Sequence, residues 1–319
     1  MISIVIPTYN SGGYLSETVA SVQAQSDTDW ELVIVDDGST DGTIERAEAW
    51  CRADSRIRFL RQVHQSANQA RNLGLARCQA SSWATVFLDH DDVWEPQALE
   101  ILGRSLSAHP EAVAAYGIAG YIDAEGRPYD GGLEAWTRDR VELTERGLVV
   151  VAPGRGTSFG VMALGNRIPT PGQVLIRRSA LEQVGGWDSA ALDSADYALW
   201  ARLSLMGDLL FIDRRVIGWR QHSGNLSKQR RHMEVSSIAA RRILARDRRL
   251  TSAQRRLVHK AYRYTQLSFA RMRLNWARAC VEKGDMVTAA KQLRHAAIAY
   301  LRSARGLGFG LNRPGAPTS

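Results

Sequence analysis

The chain has 319 residues, of which 45% are hydrophobic and 23% are charged. These proportions are typical of a globular protein with a sizeable core and exclude wholesale disorder. The three cysteines, Cys51, Cys78 and Cys280, are too widely spaced for a disulfide framework or a metal knuckle, and they fit a reducing compartment. Without a basic-apolar leader or a run of about 18 apolar residues, the sequence predicts a cytoplasmic protein with no transmembrane segment.

Charge is unevenly distributed along the chain. From Arg214 to Ser319 there are 24 Lys and Arg against 4 Asp and Glu, whereas the preceding part has 17 against 29. An acidic body followed by a basic tail indicates two parts with different roles.

The first third of the chain alternates between β-branched runs and segments with helical spacing of apolar residues. The predicted strands are Ile2–Pro7, Glu31–Val35, Ile57–Arg61 and Trp83–Leu88, and the predicted helices are Tyr14–Gln25, Thr43–Arg52, Asn68–Ala76 and Pro96–Leu106. This alternation predicts an α/β fold with a mainly parallel sheet flanked by helices.

Three polar loops follow the first, second and fourth predicted strands: Thr8–Asn10, Asp36–Gly38 and Asp89–Asp92. In open parallel sheets, ligands bind beyond the carboxyl ends of the strands. We therefore expect the three loops to meet in one crevice.

The middle of the chain, about 112–177, is less regular. It contains a predicted hairpin around Asp123–Gly126 and a glycine-rich stretch, Gly154–Gly172, which fits either a mobile lid or a long loop. The later predicted elements are helices Ser179–Val184 and Ala195–Met206, strand Leu209–Ile212, an all-helical region from His232, a helix pair Asn275–Cys280 and Thr288–Ile298, and a frayed tail Asn312–Ser319.

Two acidic loops carry the candidate chemistry. Asp89, Asp91 and Asp92 crowd three carboxylates at one strand end, where a divalent cation would relieve their repulsion. Carboxylate oxygens suit Mg²⁺ or Mn²⁺, which bridge to substrate phosphates, although the same residues could simply cap the following helix. In the second loop, one carboxylate of Asp36-Asp37-Gly38 could bind a nucleobase or ribose, or the segment could be an ordinary Asp-Gly turn.

Other enzyme signatures are missing from the sequence. It has no G-x-G-x-x-G and no G-x-x-x-x-G-K-[ST], so dinucleotide-binding and P-loop interpretations fail. It also lacks a Ser/His/Asp or Cys/His arrangement of the kind expected in a hydrolase.

Seven segments, in order, resemble family 2 glycosyltransferases of the GT-A fold. They are Val5–Asn10 (VIPTYN), Val33–Gly42 (VIVDDGSTDG), Ala70–Gly74 (ARNLG), Phe87–Trp94 (FLDHDDVW), Val184–Asp188 (VGGWD), Asp196–Trp200 (DYALW) and Arg220–Ser227 (RQHSGNLS). The resemblance covers about residues 1–227. It implies a GT-A catalytic domain at 1–230, with a nucleotide-sugar half (about 1–110) and an acceptor half (about 111–230), followed by a helical basic appendage at 231–311.

The resemblance also implies roles for individual residues. The nucleotide-sugar site would comprise Pro7, Thr8, Tyr9, Asp37, Arg71, Asp89 and His90. The metal would be held by Asp91 and His222, and Asp196 would be the general base of an inverting reaction. Trp187 and Asp188 are candidates for the acceptor side. Many family members carry an acidic residue just before the base, where this chain has Ala195.

We accordingly expect a sugar to pass from a nucleotide-diphosphate sugar to an acceptor hydroxyl, with Mn²⁺ or Mg²⁺ on the diphosphate. Cell-surface glycan synthesis and a glycan or lipid-linked acceptor are the expected context. The alternatives are a sugar nucleotidyltransferase, disfavoured because the loop after the first strand has no Lys or Arg, and a non-catalytic scaffold. The basic helices could dock on an anionic membrane or pack on the catalytic domain, with nucleic-acid binding the weakest option.

Overall fold

The computed structural model describes residues 1–225 and 230–305. By internal contacts the chain divides into two compact units, the first ending at Arg249 and the second beginning at Leu250. The division lies later than the expected boundary at 230, because helix Arg230–Arg246 packs within the first unit against residues 189–203. Ser227, residues 306–311 of the predicted helical appendage, and the tail Asn312–Ser319 lie outside the described residues.

Among residues 1–225 and 230–305, every strand belongs to the first unit. In chain order they are β1 (Ile2–Thr8), β2 (Trp30–Asp36), β3 (Ile57–Arg61), β4 (Ala84–Phe87), β5 (Val93–Trp94), β6 (Ala114–Ile122), β7 (Pro128–Tyr129), β8 (Val141–Leu143), β9 (Leu148–Val150), β10 (Val174–Arg177) and β11 (Leu209–Arg220).

The helices occur in both units. They are α1 (Tyr14–Gln23), α2 (Thr43–Ala53), α3 (Ala67–Arg77), α4 (Ala98–Ala108), α5 (Leu133–Arg138), α6 (Phe159–Leu164), α7 (Arg178–Val184), α8 (Ala195–Leu203), α9 (Arg230–Arg246), α10 (Ser252–Glu282) and α11 (Met286–Arg305). The glycine-rich stretch 154–172 thus contains a short helix, α6, rather than loop alone.

The main sheet has the order β3-β2-β1-β4-β10-β6-β11-β5. The first four strands of this order are parallel, as predicted, and β6 runs parallel to β11. However, β10 lies antiparallel between β4 and β6, and β5 lies antiparallel to β11, so the sheet is mixed. Because β10 is antiparallel to both β4 and β6, these two strands run in the same direction. β1, β4, β6 and β11 therefore all end at the same edge of the sheet.

The core of the first unit lies between this sheet and the helices on its faces. Leu15, Val19 and Val22 recur at helical spacing on α1 and are fully buried against the sheet. Gly74 allows α3 to pack closely on β1, since a Cβ at this position would lie 2.4 Å from Val5 Cγ1. These contacts fix the strand ends from which the polar loops emerge.

The second unit contains α10 and α11, which fold back on each other through the turn 283–285. The turn lies where the sequence predicted it, but α10 begins at Ser252 rather than at Asn275. Thr251 starts the helix with a capping box, because its hydroxyl accepts from Gln254 N while the Gln254 side chain accepts from Thr251 N. Within the part of the chain that the structure describes, no helix is long and apolar enough to cross a bilayer.

Candidate active site

The three polar loops meet at one edge of the sheet, as the sequence predicted. β2, β1 and β4 are adjacent and parallel, so their carboxyl ends lie side by side. Asp37 N donates to Thr8 O at 2.8 Å and so joins the first two loops. Arg71 on α3 donates to Asp89 Oδ1 at 2.5 Å and links α3 to the third loop.

The loop after β1 is held by an asparagine in a left-handed conformation. Asn10 has φ +44°, a region that Asn tolerates better than most residues. Its Oδ1 accepts from Thr40 N at 2.8 Å, and Gly12 N donates to Asp41 Oδ2 at 2.9 Å. These bonds tie the loop after β1 to the loop after β2 and hold the crevice wall in place.

The predicted nucleobase residues line one side of the crevice. Pro7 is buried beside Val35 in the β1–β2 pair, and the next residue, Thr8, has a buried hydroxyl without a hydrogen-bond partner among the described residues. Tyr9 is 45% exposed and its ring lies 4.4 Å from that of His64. A buried hydroxyl without a partner beside two exposed rings is what a bound base and ribose would satisfy.

Asp37 is buried and its carboxylate holds the segment after β3. Oδ1 accepts from Gln62 Nε2 at 2.6 Å and from Gln65 N at 2.9 Å, and Oδ2 lies 3.1 Å from His64 Nδ1. Asp37 therefore orients His64, which the sequence did not single out as a site residue.

In the acidic loop, Asp91 pairs with a histidine 131 residues later in the chain. Asp91 Oδ2 lies 2.9 Å from His222 Nε2, and both side chains are largely buried. Burial favours the neutral form of Asp91, but the hydrogen bond with His222 and the nearby His90 outweigh it, so the pKa of Asp91 lies below its ordinary value. The second residue of the loop, His90, is held by its backbone carbonyl, which accepts from Thr18 Oγ1 at 2.9 Å.

Asp92 does not join the other two carboxylates, which corrects the expectation of a three-carboxylate cluster. It is 1% exposed, and it accepts from Thr170 Oγ1 at 2.6 Å and from Arg220 N at 3.0 Å. Burial, with the negative charges of Asp91 and Asp89, raises the pKa of Asp92 well above its ordinary value. Asp92 thus fastens the acidic loop to β11 rather than facing the crevice.

Arg220, which appeared in the sequence only as part of a motif, contacts the acidic loop from the protein interior. Its guanidinium is fully buried, donates to Asp91 O at 2.8 Å and to Glu17 Oε2 at 2.6 Å, and lies 4.8 Å from the centroid of the Tyr14 ring. A buried cation with these partners fixes the backbone that carries Asp91.

Arg71 lies in the crevice, where its side chain packs on an aromatic ring. Its guanidinium is 4.4 Å from the centroid of the Trp187 ring, and Trp187 is 3% exposed and packed edge-on against Phe87 and Trp200. Trp187 therefore supports Arg71 rather than offering an open face for an acceptor sugar. Trp200 is itself fully buried in the core.

The candidate base, Asp196, lies in the first turn of α8. Oδ1 accepts from Tyr197 N at 2.6 Å and Oδ2 accepts from Asn166 Nδ2 at 2.9 Å. Burial raises the pKa of Asp196 to about 6, although these two hydrogen bonds and the charge of Arg71 act in the opposite direction. Asp188, nearby in sequence, accepts from Ala190 N at 2.9 Å and caps the turn that leads towards α8.

Asn166 is a site residue that the sequence analysis missed. Its Oδ1 accepts from Ile168 N at 2.9 Å, so its NH₂ group is the one that faces Asp196. The only sequence signal was its position in the glycine-rich stretch, which gives no indication of a partner 30 residues away.

The residues present fit a divalent cation bound together with a diphosphate. Across residues 1–225 and 230–305, no preformed group of three or more His, Cys, Asp or Glu could hold a metal. Mg²⁺ and Mn²⁺ bound to nucleotides commonly use one or two protein ligands plus phosphate oxygens and water. Asp91 and His222, already 2.9 Å apart, are the candidates for two such ligands.

Comparisons with known proteins identify the family of this chain. The family model "Glycosyl transferase family 2" matches residues 3–185. A putative teichuronic acid biosynthesis glycosyltransferase, TuaG of Bacillus subtilis (strain 168), is 37% identical over 133 residues, which cover 41% of this chain and 51% of TuaG. The match thus spans about half the length of that relative.

Solved structures show the same fold at low sequence identity. S. aureus TarS 1-349 in complex with UDP-GlcNAc superposes with a TM-score of 0.61 at 16% identity, covering 95% of this chain and 89% of TarS 1-349. The mannosyltransferase PcManGT from Pyrobaculum calidifontis, in complex with GDP-Man and Mn²⁺, gives a TM-score of 0.59 at 16% identity and covers 94% of this chain and 86% of PcManGT.

The match to the family model covers more than half of the chain, so this protein belongs to glycosyl transferase family 2. The predicted family and the GT-A fold, with its helical C-terminal region, are both confirmed.

Proposed function

We propose that this protein is an inverting glycosyltransferase that moves a sugar from a nucleotide-diphosphate sugar to an acceptor hydroxyl. The observation that carries the proposal is Asp196, a partly buried carboxylate with a pKa raised to about 6. A base with this pKa is mostly ionised at neutral pH and can still accept a proton. Its electrostatic neighbours are Arg71 and Asp89, which belong to the nucleotide side of the crevice.

In this mechanism Asp196 takes the proton from the acceptor hydroxyl as the oxygen attacks the anomeric carbon. The bond to the nucleotide diphosphate breaks on the opposite face of the sugar, so the configuration inverts. Asn166 and Tyr197 N hold the carboxylate in place for the transfer. A Mn²⁺ or Mg²⁺ ion held by Asp91 and His222 would neutralise charge on the departing diphosphate.

The nucleotide would occupy the side of the crevice lined by Thr8, Tyr9 and Asp37. The buried Thr8 hydroxyl would gain a partner, and the exposed face of Tyr9 would pack on the base. His64 would lie beside the same base, because its ring stacks on Tyr9. Arg71, fixed between Asp89 and Trp187, adds a positive charge on the sugar-phosphate side.

The acceptor we propose is a glycan or lipid-linked glycan of the cell surface. The support is the similarity to TuaG, which is a putative teichuronic acid biosynthesis glycosyltransferase.

We also propose that the second unit docks on an anionic membrane. Leu250 to Arg305 contains 12 Lys and Arg against 2 Asp and Glu. The same helices expose large apolar side chains, including Met286, Val287 and Tyr300, with Val287 84% exposed. Cations beside exposed apolar groups suit the surface of a bilayer that contains acidic lipids.

The nucleotide site is tested by a thermal-shift screen of nucleoside diphosphates with and without Mn²⁺. A ligand at about 100 times its Kd stabilises a protein by roughly 2.7 kcal/mol, which is a readable shift. We expect one nucleotide to stabilise the wild type only when Mn²⁺ is present.

Asp91→Ala and His222→Ala should each reduce this stabilisation. Asp27→Ala is the matched control, because Asp27 precedes β2 at the opposite end of the strands. If no nucleotide stabilises the folded wild type, or if Asp91→Ala responds like Asp27→Ala, the proposed site is wrong.

Membrane docking is tested by sedimentation with vesicles of phosphatidylcholine, with or without phosphatidylglycerol. Reversing the exposed cations Arg271 and Lys291 to Glu should weaken binding to the acidic vesicles at least about 30-fold, at about 1 kcal/mol per cation removed. Reversal of the exposed Arg52 and Arg104 in the first unit is the control. Equal binding by both double variants would contradict docking through the second unit.

A further inference from the structure

Outside the crevice, the first unit has a cavity of about 500 Å³ beside the carboxyl end of β6. Its wall is formed by β6, β7, the loop between β7 and α5, the first turns of α5, and Arg215 of β11. None of these residues belongs to the nucleotide or base sites described above.

One wall of the cavity ends in a stack of three aromatic rings. Tyr129 lies parallel to Tyr121, with ring centroids 5.4 Å apart and planes at 10°, and Tyr121 in turn stacks on Trp219 at 5.6 Å. Both faces of the Tyr121 ring are thus covered, whereas Tyr129 remains 46% exposed. The outer ring is a flat apolar platform held in a fixed orientation by the two rings behind it.

Two glycines keep the cavity open. A Cβ at Gly131 would lie 2.5 Å from the Tyr121 ring, and a Cβ at Gly120 would lie 2.6 Å from Arg215 Cζ. The missing side chains allow the chain to pass close to the ring stack, and they allow the Arg215 guanidinium to lie flat against β6.

The polar groups around the platform are charged but balanced. Arg138 donates to Asp213 at 2.8 Å and lies 3.4 Å from Glu134, while Arg215 lies 2.9 Å from Glu95. Asp130 accepts from Gly132 N at 2.8 Å. Because each guanidinium already has a carboxylate partner, an anion such as phosphate would gain little here, and a wholly apolar ligand would leave these groups poorly solvated.

We propose that this cavity binds an uncharged sugar unit of the acceptor glycan, distant from the unit that receives the new sugar. A sugar ring has an apolar C–H face that fits the exposed face of Tyr129. Its hydroxyl groups can both donate to carboxylates such as Glu134 and accept from guanidinium groups such as Arg138. This inference rests on the proposed function, because it identifies the ligand as part of the acceptor.

The cavity is also suitably placed for an extended acceptor. The β6–β7 hairpin that carries Tyr129 turns at residues 123–126, and Arg220 donates to Ala124 O at 2.9 Å within that turn. Arg220 also donates to Asp91 O. One short hairpin therefore connects the sugar platform with the loop that carries the candidate metal ligand.

The test is saturation-transfer difference NMR on the full chain, without nucleotide or metal. The probes are glucose, galactose, N-acetylglucosamine, cellobiose and maltose, with glucuronate and uridine as comparison ligands. We expect saturation transfer to at least one neutral sugar, and a loss of about tenfold in affinity in Tyr129→Ala, because one stacked aromatic face is removed. Glu134→Ala should weaken the binding of the same sugar.

Trp136→Ala is the matched control. Trp136 lies on α5 together with Glu134, is 38% exposed and does not line the cavity. Asp91→Ala should keep the sugar signal, which separates this site from the crevice. The proposal is overturned if no neutral sugar shows transfer, if Tyr129→Ala binds the sugar with the same affinity as wild type, or if only uridine or glucuronate binds. Because nucleotide binding is measured separately, failure of either proposal is recognisable on its own.

Discussion

Asn166→Ala gives a direct view of how the candidate base is tuned. The Asn166 amide donates to Asp196 Oδ2 at 2.9 Å, and its orientation is fixed by the bond from Ile168 N. This hydrogen bond favours the ionised form of Asp196 against the burial that raises its pKa to about 6. Removing the donor should therefore raise the pKa of Asp196 further.

A hydrogen bond to a charged group contributes about 1.5–3 kcal/mol when no other partner is available. Asp196 is only partly buried, so water can replace part of the bond, and we expect a rise of about one pKa unit, or about 1.4 kcal/mol. At pH of about 6 the ionised fraction would fall from about one half to about one tenth, a loss of about fivefold in turnover. At pH of about 8 the two proteins should differ by only about a tenth.

The assay is nucleotide release from sugar donors that carry the nucleotide identified by the binding screen, measured from acid pH up to a pH of about 8 with water or a glycan as acceptor. Asn275→Ala, an exposed asparagine on α10, is the matched control. The reasoning is refuted if Asn166→Ala loses the same fraction of activity at every pH, or if its acid limb coincides with that of the control. Melting temperatures show whether a uniform loss comes from a loosened loop.

Two further predictions concern stability. Gly74→Ala should destabilise the protein by about 1–3 kcal/mol in denaturant unfolding, because the added Cβ would meet Val5 at 2.4 Å. Gly13→Ala is the control: a Cβ there has no atom within 4 Å, so stability should change by less than about 1 kcal/mol. Equal effects of the two substitutions would show that α3 has room to move. The raised pKa of Asp196 means that the wild type loses stability as pH rises from about 4 through about 6, because the unfolded carboxyl ionises before the folded one. Asp196→Asn should therefore be more stable than the wild type by about 1–3 kcal/mol above pH of about 6, with the gap closing below pH of about 4; a gap that does not depend on pH would contradict the shifted pKa.

Much of the fold and the position of the crevice followed from local sequence patterns. The runs Ile2–Pro7 and Glu31–Val35 are β-branched and end at turn residues, so strand and loop could be predicted within two residues of their observed bounds. Parallel pairing then brought Thr8, Asp37 and Asp89 to one edge, a consequence of topology that needs no side-chain detail.

Features that depend on distant partners could not be predicted. Asp92 looks like its neighbours in sequence, yet it is buried because Thr170 and Arg220 bond to it from 78 and 128 residues away. The antiparallel insertion of β10 depends on pairing with both β4 and β6, which no local pattern encodes. Trp187 was a candidate for the acceptor side by sequence, and only the packing of Arg71, Phe87 and Trp200 around it shows that it is a core residue.

The most direct test of the central claim compares wild type with Asp196→Asn in two measurements, donor affinity and donor turnover. The account predicts that the variant binds the nucleotide sugar within about twofold of wild type, while turnover falls by about 100-fold or more at neutral pH, because only proton removal from the acceptor is lost. Turnover that stays within a few-fold of wild type would show that Asp196 is not the general base. A parallel loss of donor affinity would place it instead among the residues that bind the nucleotide sugar.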